Sequence, residues 1–148
     1  MSDQLTGGLA RGYAVGFALL RLDVGALAKF DGSVEEARES VLAVLISVPL
    51  IFLMMMLFGS LDFATLTRVP VLVVELSSIA VAWLATPILV SVIAPAVGRA
   101  ERVPLFITVY DYYSSVTVLV YLAAALLIAL SDASAILGGM SLGTLRSR

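Results

Sequence analysis

The chain has 148 residues, of which 61% are hydrophobic and only 14% are charged, and its formal net charge at pH 7 is −2. A soluble domain has about half apolar and about a quarter charged residues, so this composition predicts a membrane protein. The charge balance provides no basic footprint for nucleic acid. The chain contains neither cysteine nor histidine, which excludes disulfides, thiolate metal sites and the commonest general base.

Residues 1–32 form an amphipathic, interfacial N-terminal segment. Between Leu9 and Ala28, apolar side chains recur at helical spacing, with basic side chains on the opposite side. The pattern predicts one helix that lies in the headgroup plane of a bilayer or packs on the protein's own spans or on a partner. The spacing of Gly12 and Gly16 is of the kind that allows close helix contact. The apolar stripe comprises Leu9, Tyr13, Phe17, Leu20, Val24 and Leu27.

A second helix is predicted to begin near Val34. Asp31-Gly32 is a turn signal, and Ser33 and Glu36 have the spacing of a capping box, in which each side chain bonds to the backbone N–H of the other residue. We expect this helix to continue directly into the first long apolar stretch.

Residues 33–131 contain three stretches that are apolar enough to cross a bilayer, Val41–Gly59, Pro70–Val97 and Val103–Leu130. The second and third carry one carboxylate each, Glu75 and Asp111. The sequence therefore predicts an all-α integral membrane protein, with an N-terminal amphipathic helix followed by three transmembrane helices.

The segment 132–148 is a glycine- and serine-containing C-terminal tail. The stretch Ala133–Leu145 is too short to cross a hydrocarbon core of about 30 Å at about 1.5 Å per residue, and its glycines disfavour a helix. We expect a frayed tail or a segment bound to a partner.

Basic residues are distributed unevenly about the spans. They precede the first span and recur in the loop 98–102, whereas the loop Ser60–Val69 has Arg68 alone. The positive-inside rule then predicts a multi-pass protein of a bacterial inner membrane with a cytoplasmic N-terminus. Three spans would place the C-terminus outside. The basic residues concerned are Arg11, Arg21, Lys29, Arg38, Arg99 and Arg102.

The second and third spans are expected to pack as an antiparallel pair, because the loop between them is short. Pro87 and Pro95 remove hydrogen bonds from the second span, so that the carbonyls of Trp83 and Ser91 need other donors. Hydroxyl groups of the third span lie at about the same depth. We therefore predict an intramembrane polar seam formed by Asp111, Tyr110, Ser114, Ser115, Thr117, Thr86 and Ser91.

Asp111 lies about eight residues into the third span, at a depth where a carboxylate is costly and is a functional candidate. One interpretation is a protonatable or ion-binding group in a translocation path. The other is an interfacial carboxylate on a helix that enters the membrane near Tyr113, with the tyrosines forming an aromatic belt. Glu75 is predicted to lie on the opposite side and cannot share a site with Asp111.

Two short motifs resemble landmarks of small multispan inner-membrane proteins of alphaproteobacteria, which are similar to the Yip-type membrane proteins. The first is Phe-Asp-Gly-Ser-Val-Glu at 30–35, and the second joins Gly-Arg-Ala-Glu-Arg at 98–102 to Phe-Ile-Thr-Val-Tyr-Asp-Tyr at 106–112. That group usually has asparagine and tryptophan in place of Asp111 and Tyr112, and more spans after the third. The resemblance implies membrane embedding and no particular activity.

Three classes of function fit these features. The first is a non-catalytic accessory or scaffold subunit of a larger membrane assembly, with lipid and other membrane subunits, or further copies of the chain, as partners. The alternative is a small transporter or channel protomer that uses Asp111 and the proline-kinked second span. An intramembrane enzyme is disfavoured because the chain has no HExxH or GxSxG signature. We expect no catalytic residue, cofactor or metal, and no nucleic acid partner.

Overall fold

A computed structural model describes the backbone of residues 2–57 and 69–145 and the side chains of residues 7–57 and 69–131. The helices are α1 (Ser2–Leu20), α2 (Val34–Leu57), α3 (Val69–Ala96) and α4 (Val103–Leu145), with short 3-10 helices at Val24–Lys29 and Ala100–Arg102. Three helices, with α4 counted through Ser131, are long and apolar enough to cross a membrane. The all-helical class is therefore confirmed for the described residues.

The N-terminal segment is not one helix from Leu9 to Ala28, and that prediction is wrong. α1 ends at Leu20, and Leu22 adopts the left-handed region with φ 63°, which terminates a right-handed helix. The Asp23 side chain then accepts a hydrogen bond from Gly25 N at 3.1 Å and caps the 3-10 helix. This local bond of an aspartate with the backbone competes with continued α-helix.

α1 packs on the protein's own helices, which was one of the predicted alternatives. Val15 is fully buried, and Leu19, which lies off the predicted stripe, packs on the same core. By contrast Phe17, Leu20 and Val24 remain 45%, 36% and 71% exposed. These three side chains are not buried against protein, and their burial in lipid stays a prediction.

The Gly12–Gly16 spacing marks the contact between α1 and α4. A Cβ atom on Gly12 would overlap the ring of Tyr112, and one on Gly16 would lie 2.7 Å from a Val116 methyl group. Tyr112 is 2% exposed, and its ring meets that of Tyr13 edge-on at 5.9 Å and stacks on that of Phe30 at 5.8 Å. Such aromatic pairs add specific geometry to their apolar burial.

α2 begins at Val34 as predicted, with a modified capping box. The Ser33 hydroxyl accepts from Glu36 N at 3.1 Å. The Glu36 carboxylate, however, bonds to the N–H groups of Asp31 and Gly32 at 3.0 and 3.2 Å, and Ser33 N donates to the Asp31 carboxylate. Gly32 has φ 71°, a conformation that glycine adopts readily.

α3 and α4 match their predicted N-terminal ends but differ in packing and extent. Among the described residues of α3 only Ala94 is buried. The backbone of α4 is helical through Leu145, so the helix continues past the predicted end of the third span at Leu130 and through the glycines of the tail. Propensity is a weak constraint, which a long established helix overrides at single glycines.

Candidate functional site

Asp111, on α4, is held by a hydrogen bond from a side chain of α2. The carboxylate is 4% exposed, and its Oδ2 accepts a 2.7 Å hydrogen bond from the hydroxyl of Ser40, which is fully buried. The Ser40 oxygen also lies 2.8 Å from the Ala37 carbonyl oxygen. One hydroxyl proton is thus shared between a backbone acceptor and a side-chain acceptor, which fixes the rotamer of Ser40 and the position of Asp111.

The predicted polar seam is only partly formed. Tyr110, Ser114 and Thr117 line a shallow groove of about 270 Å³ between α3 and α4, beside Trp83. Asp111 does not line this groove and is hydrogen-bonded to α2, so the seven residues do not form a single site.

The other predicted seam residues have separate surroundings. Ser115 is fully buried, and its hydroxyl lies near that of Tyr13 on α1 without a hydrogen bond of good geometry. Thr86 and Ser91 are exposed on α3. The structure therefore does not bring Asp111, Ser115, Thr86 and Ser91 into the groove that Tyr110, Ser114 and Thr117 line.

Helical periodicity explains this division of α4. Positions 108, 111, 112 and 115 share one stripe and are buried, whereas positions 110, 114 and 117 lie on another face. Both faces were predicted to meet the second span because the loop between the two spans is short.

The hydroxyl groups of Ser91 and Thr117 donate hydrogen bonds to backbone carbonyls of their own helices. Ser91 Oγ donates to Pro87 O at 2.7 Å, and Thr117 Oγ1 donates to Tyr113 O at 2.9 Å. Both are bonds to the carbonyl four residues earlier, a common arrangement for serine and threonine in helices. Neither hydroxyl supplies the donor that was expected for the Trp83 carbonyl.

α2 carries a stripe of small residues that was not predicted from the sequence. Ser40, Ala43 and Ser47 are all buried at helical spacing. Small residues at such spacing permit close helix contact, and this signal could have identified α2 as the partner of α4.

A second buried carboxylate, Glu36, joins α1 to the start of α2. Its Oε1 lies 2.8 Å from a guanidinium nitrogen of Arg11, and the side chains of Glu36 and Arg11 are 6% and 50% exposed. The backbone N–H groups of Asp31 and Gly32 bind its Oε2. Every carboxylate oxygen of Glu36 therefore has a partner.

Two groups of the N-terminal segment have shifted acidities. The Ser33 N–H, followed by the Ser33 side chain, lowers the pKa of Asp31 below its usual 3.8. Burial raises the pKa of Tyr13 above 10.0, although the hydroxyls of Ser115 and Ser47 act in the opposite direction. The Tyr13 phenol is thus a neutral packing group near neutral pH.

A cleft of about 420 Å³ opens between α2, α3 and α4. Among the described residues, Asp111 is the only charged residue that lines the cleft, and Trp83 lies on its wall. The indole N–H of Trp83 is buried without an acceptor within the described part of the chain. The apolar lining consists of Val41, Val44, Leu45, Val48, Leu76, Ile79, Ala80, Leu84, Pro87 and Ile107.

This cleft offers a hydrophobic volume with one hydrogen-bonding carboxylate. Within the ranges described, no group of three or more acidic side chains could hold a metal ion. No family model, curated protein or solved structure matches the chain. The likeness to Yip-type proteins therefore stays a prediction, and the candidate site is interpreted from its chemistry alone.

Proposed function

We propose that this protein is a non-catalytic accessory or scaffold subunit of a larger assembly in a bacterial inner membrane. The observation that supports this proposal is the unequal packing of the helices. α3 is long and apolar enough to span a membrane, yet among its residues only Ala94 is buried. Lipid is as apolar as the side chains, so a helix is held by close packing and hydrogen bonds. α3 has little close packing and few hydrogen bonds with the other described helices.

The other helices contrast with α3. The Ser40–Asp111 bond joins α2 to α4, and the Arg11–Glu36 pair joins α1 to α2. The carboxylates of Asp111 and Glu36 are thus bound inside the protein, whereas the large exposed side chains of α3 are mostly apolar. This distribution suits a protein that binds other helices.

The proposed orientation places the N-terminus and the loop 98–102 in the cytoplasm. Ser40 and Asp111 lie at one level, so the chain before α2 and the chain before α4 are at the same end of the helices. Arg38 and Arg102 are both exposed there. Their common position agrees with the positive-inside rule.

A transporter or channel protomer is the second candidate function. Asp111 and Pro87, the two features on which this alternative depends, line the same cleft. In a transport pathway Asp111 would need access to water. A cysteine at position 111 should then react with a small water-soluble reagent in native membranes, whereas in a subunit held by packing it should stay protected.

Photocrosslinking in native membranes tests the subunit proposal. A crosslinking amino acid is placed at Val81, Ile88 or Val92, which are 68%, 58% and 70% exposed on α3. We expect adducts of discrete mass at one or more of these positions. The control is Ala43, which is fully buried inside the protein and should give none. A tagged second copy distinguishes a homo-oligomer from another subunit, and the absence of any adduct from α3 would contradict the proposal.

A further inference from the structure

We propose that α1 and the 3-10 helix Val24–Lys29 form a shallow re-entrant hairpin, whose turn lies among the acyl chains of the membrane leaflet on the side of the N-terminus. α1 is the entering arm of this hairpin, and the 3-10 helix is the returning arm. The inference goes beyond the subunit function. It rests on the proposal that α2 and α4 cross a bilayer, for which both are long and apolar enough.

The side chains of α2 mark the level at which the helices enter the hydrocarbon. The charged side chains of Glu35 and Arg38 are exposed near the start of α2, whereas the stretch 41–57 contains no charged residue. Ser40 lies between these two parts of α2 and is bonded to Asp111. The same boundary therefore crosses α4 near Asp111, and the residues that follow Asp111 lie on the hydrocarbon side.

α1 crosses this boundary in the same direction as α2 and α4. A Cβ atom on Gly8 would lie 2.9 Å from a carboxylate oxygen of Glu39, and one on Gly16 would lie 2.7 Å from a methyl group of Val116. Glu39 comes just before the boundary, whereas Val116 lies beyond it by a rise of about 8 Å at about 1.5 Å per residue. α1 then continues to Leu20. Its C-terminal end is thus below the headgroup plane.

The returning arm brings the chain back to the side from which α1 entered. The ring of Phe30 stacks on that of Tyr112 at 5.8 Å. A Cβ atom on Gly32 would lie 3.3 Å from the Cβ atom of Leu105, which precedes Asp111 on α4. α2 begins directly afterwards, at Val34. The hairpin therefore enters and leaves on one side of the membrane.

The backbone of the turn is satisfied without water. Every N–H group from Arg21 to Ala26 donates a hydrogen bond within the segment, five of them to backbone carbonyls and that of Gly25 to the Asp23 carboxylate. Irregular backbone is excluded from hydrocarbon when its polar groups are left without partners. A turn whose N–H groups all have acceptors meets that condition on the donor side.

The turn also presents apolar side chains outward. Four of them are 36–87% exposed, namely Phe17, Leu20, Leu22 and Val24. At the same depth the outward side chains of α2 are apolar as well, because Leu45 lies as far beyond Ser40 as Val116 lies beyond Asp111, and Leu45 is 60% exposed. Lipid that surrounds α2 at this depth would also cover the turn.

Two charged residues limit the depth of insertion. Arg21 and Asp23 are both exposed at the turn. Asp23 accepts the hydrogen bond from Gly25 N, and the long stem of Arg21 lets its guanidinium extend back to the headgroups. Amphipathic interfacial helices bury their apolar faces about 5–10 Å deep. A depth of the same order keeps the hairpin within one leaflet.

Site-directed spin labelling tests the hairpin in the full-length protein, reconstituted in vesicles of phosphatidylethanolamine and phosphatidylglycerol. The chain has no native cysteine, so single cysteines can carry the label at five exposed positions, Ala10, Ala14, Phe17, Leu22 and Ala28. Accessibility to oxygen relative to a water-soluble nickel complex reports the depth of each label. We expect the depth to increase from Ala10 to Leu22 and to decrease again at Ala28. Leu22 should be deeper than Ala10 by at least about 5 Å, the rise of three to four helical residues.

Two further labels calibrate the depth scale. Arg38 has a 76% exposed side chain on the headgroup side, and Leu127 is 69% exposed on α4. Equal depths at all five hairpin positions would indicate a helix in the headgroup plane and would overturn the hairpin. Nickel access at Phe17 and Leu22 would place the turn in water, and immobile labels that neither reagent reaches would mean that protein covers it. Either result would also overturn the hairpin.

The calibration separates this inference from the proposals on which it rests. If nickel reached Leu127 as well, α4 would not be embedded at that position, and the membrane orientation would fail together with the hairpin. If only the hairpin labels departed from expectation, the hairpin alone would fail. The crosslinks expected from Val81, Ile88 and Val92 on α3 do not depend on the hairpin.

Discussion

The Ser40 hydroxyl and the Asp111 carboxylate, 71 residues apart in the chain, meet at 2.7 Å between α2 and α4. α2 and α4 run in the same direction. α3, which lies between them in the chain, runs in the opposite direction. This single bond fixes the height of α4 against α2, and with it the position of the aromatic cluster around Tyr112.

Substitutions at Ser40 and Asp111 distinguish the contribution of the hydrogen bond to stability from the effect of charge at position 111. Asp111→Asn keeps an acceptor and can donate to Ser40 Oγ, so we expect stable protein. Ser40→Ala leaves the carboxylate without its partner and should cost about 1–2 kcal/mol. Asp111→Lys buries a cation without a partner and should prevent folding. Thermal unfolding in detergent measures all three, and equal stability of the Asn and Lys variants would show that residue 111 lies in water.

Gly12 should be intolerant of any side chain. A methyl group there meets the Tyr112 ring, and overpacking of this kind costs about 1–3 kcal/mol. Gly7 is the matched control on the same helix, since a Cβ at that position has no neighbour within 4 Å. Gly7→Ala should be neutral or slightly stabilising. A melting temperature of Gly12→Ala equal to that of Gly7→Ala would contradict the packing of α1 on α4.

Glu36 should matter far more than its neighbour Glu35. Glu36→Ala removes the partners of Arg11 and of two backbone N–H groups, and we expect a loss of about 1–3 kcal/mol. Glu35 is 81% exposed and lies 3.7 Å from Arg38, so Glu35→Ala should change stability by less than about 1 kcal/mol. Limited proteolysis near residues 21–33 should be faster in Glu36→Ala alone.

Asp31 should contribute to the loss of stability in acid. The pKa of Asp31 is lowered in the folded protein, chiefly by the Ser33 N–H. Its stabilising effect is therefore complete above the ordinary value of 3.8, and is lost as the pH falls through the folded pKa. Asp31→Asn keeps the acceptor but does not titrate. Thermal unfolding as a function of pH should thus decline less steeply for Asp31→Asn below about pH 4, and identical curves would contradict the role of Asp31.

The proposed topology can be read from single-cysteine labelling, because the chain has no native cysteine. An impermeant thiol reagent added to intact cells should label Thr65→Cys, in the predicted outer loop, and should leave Ser2→Cys and Arg99→Cys unlabelled. Permeabilised cells should label all three. Labelling of Ser2→Cys in intact cells would reverse the orientation.

The starts of the helices could be predicted where nearby side chains in the sequence indicate them. The capping residues Ser33 and Glu36 mark the start of α2 correctly, and the apolar stretch that begins at Val103 marks the start of α4. The end of α1 was not readable, because Leu22 occupies a left-handed position that sequence would assign to glycine. The partner of Asp111 was missed for a different reason. Hydrogen-bond pairing depends on which helices pack, and the loop lengths favoured the wrong pair.

The packing of α1 on α4 has a consequence for biosynthesis. Arg11 and Glu36 can pair as soon as α2 has been made. The contacts of Tyr112 with Gly12, Val15 and Phe30 can form only after Tyr112 has left the ribosome. The first segment to be translated is thus among the last to reach its native contacts, and contacts so distant in sequence form slowly. Until then Ser40 and Phe30 are available to the insertion machinery or to chaperones, so a nascent chain arrested before residue 112 should carry an N-terminus that proteases still cleave.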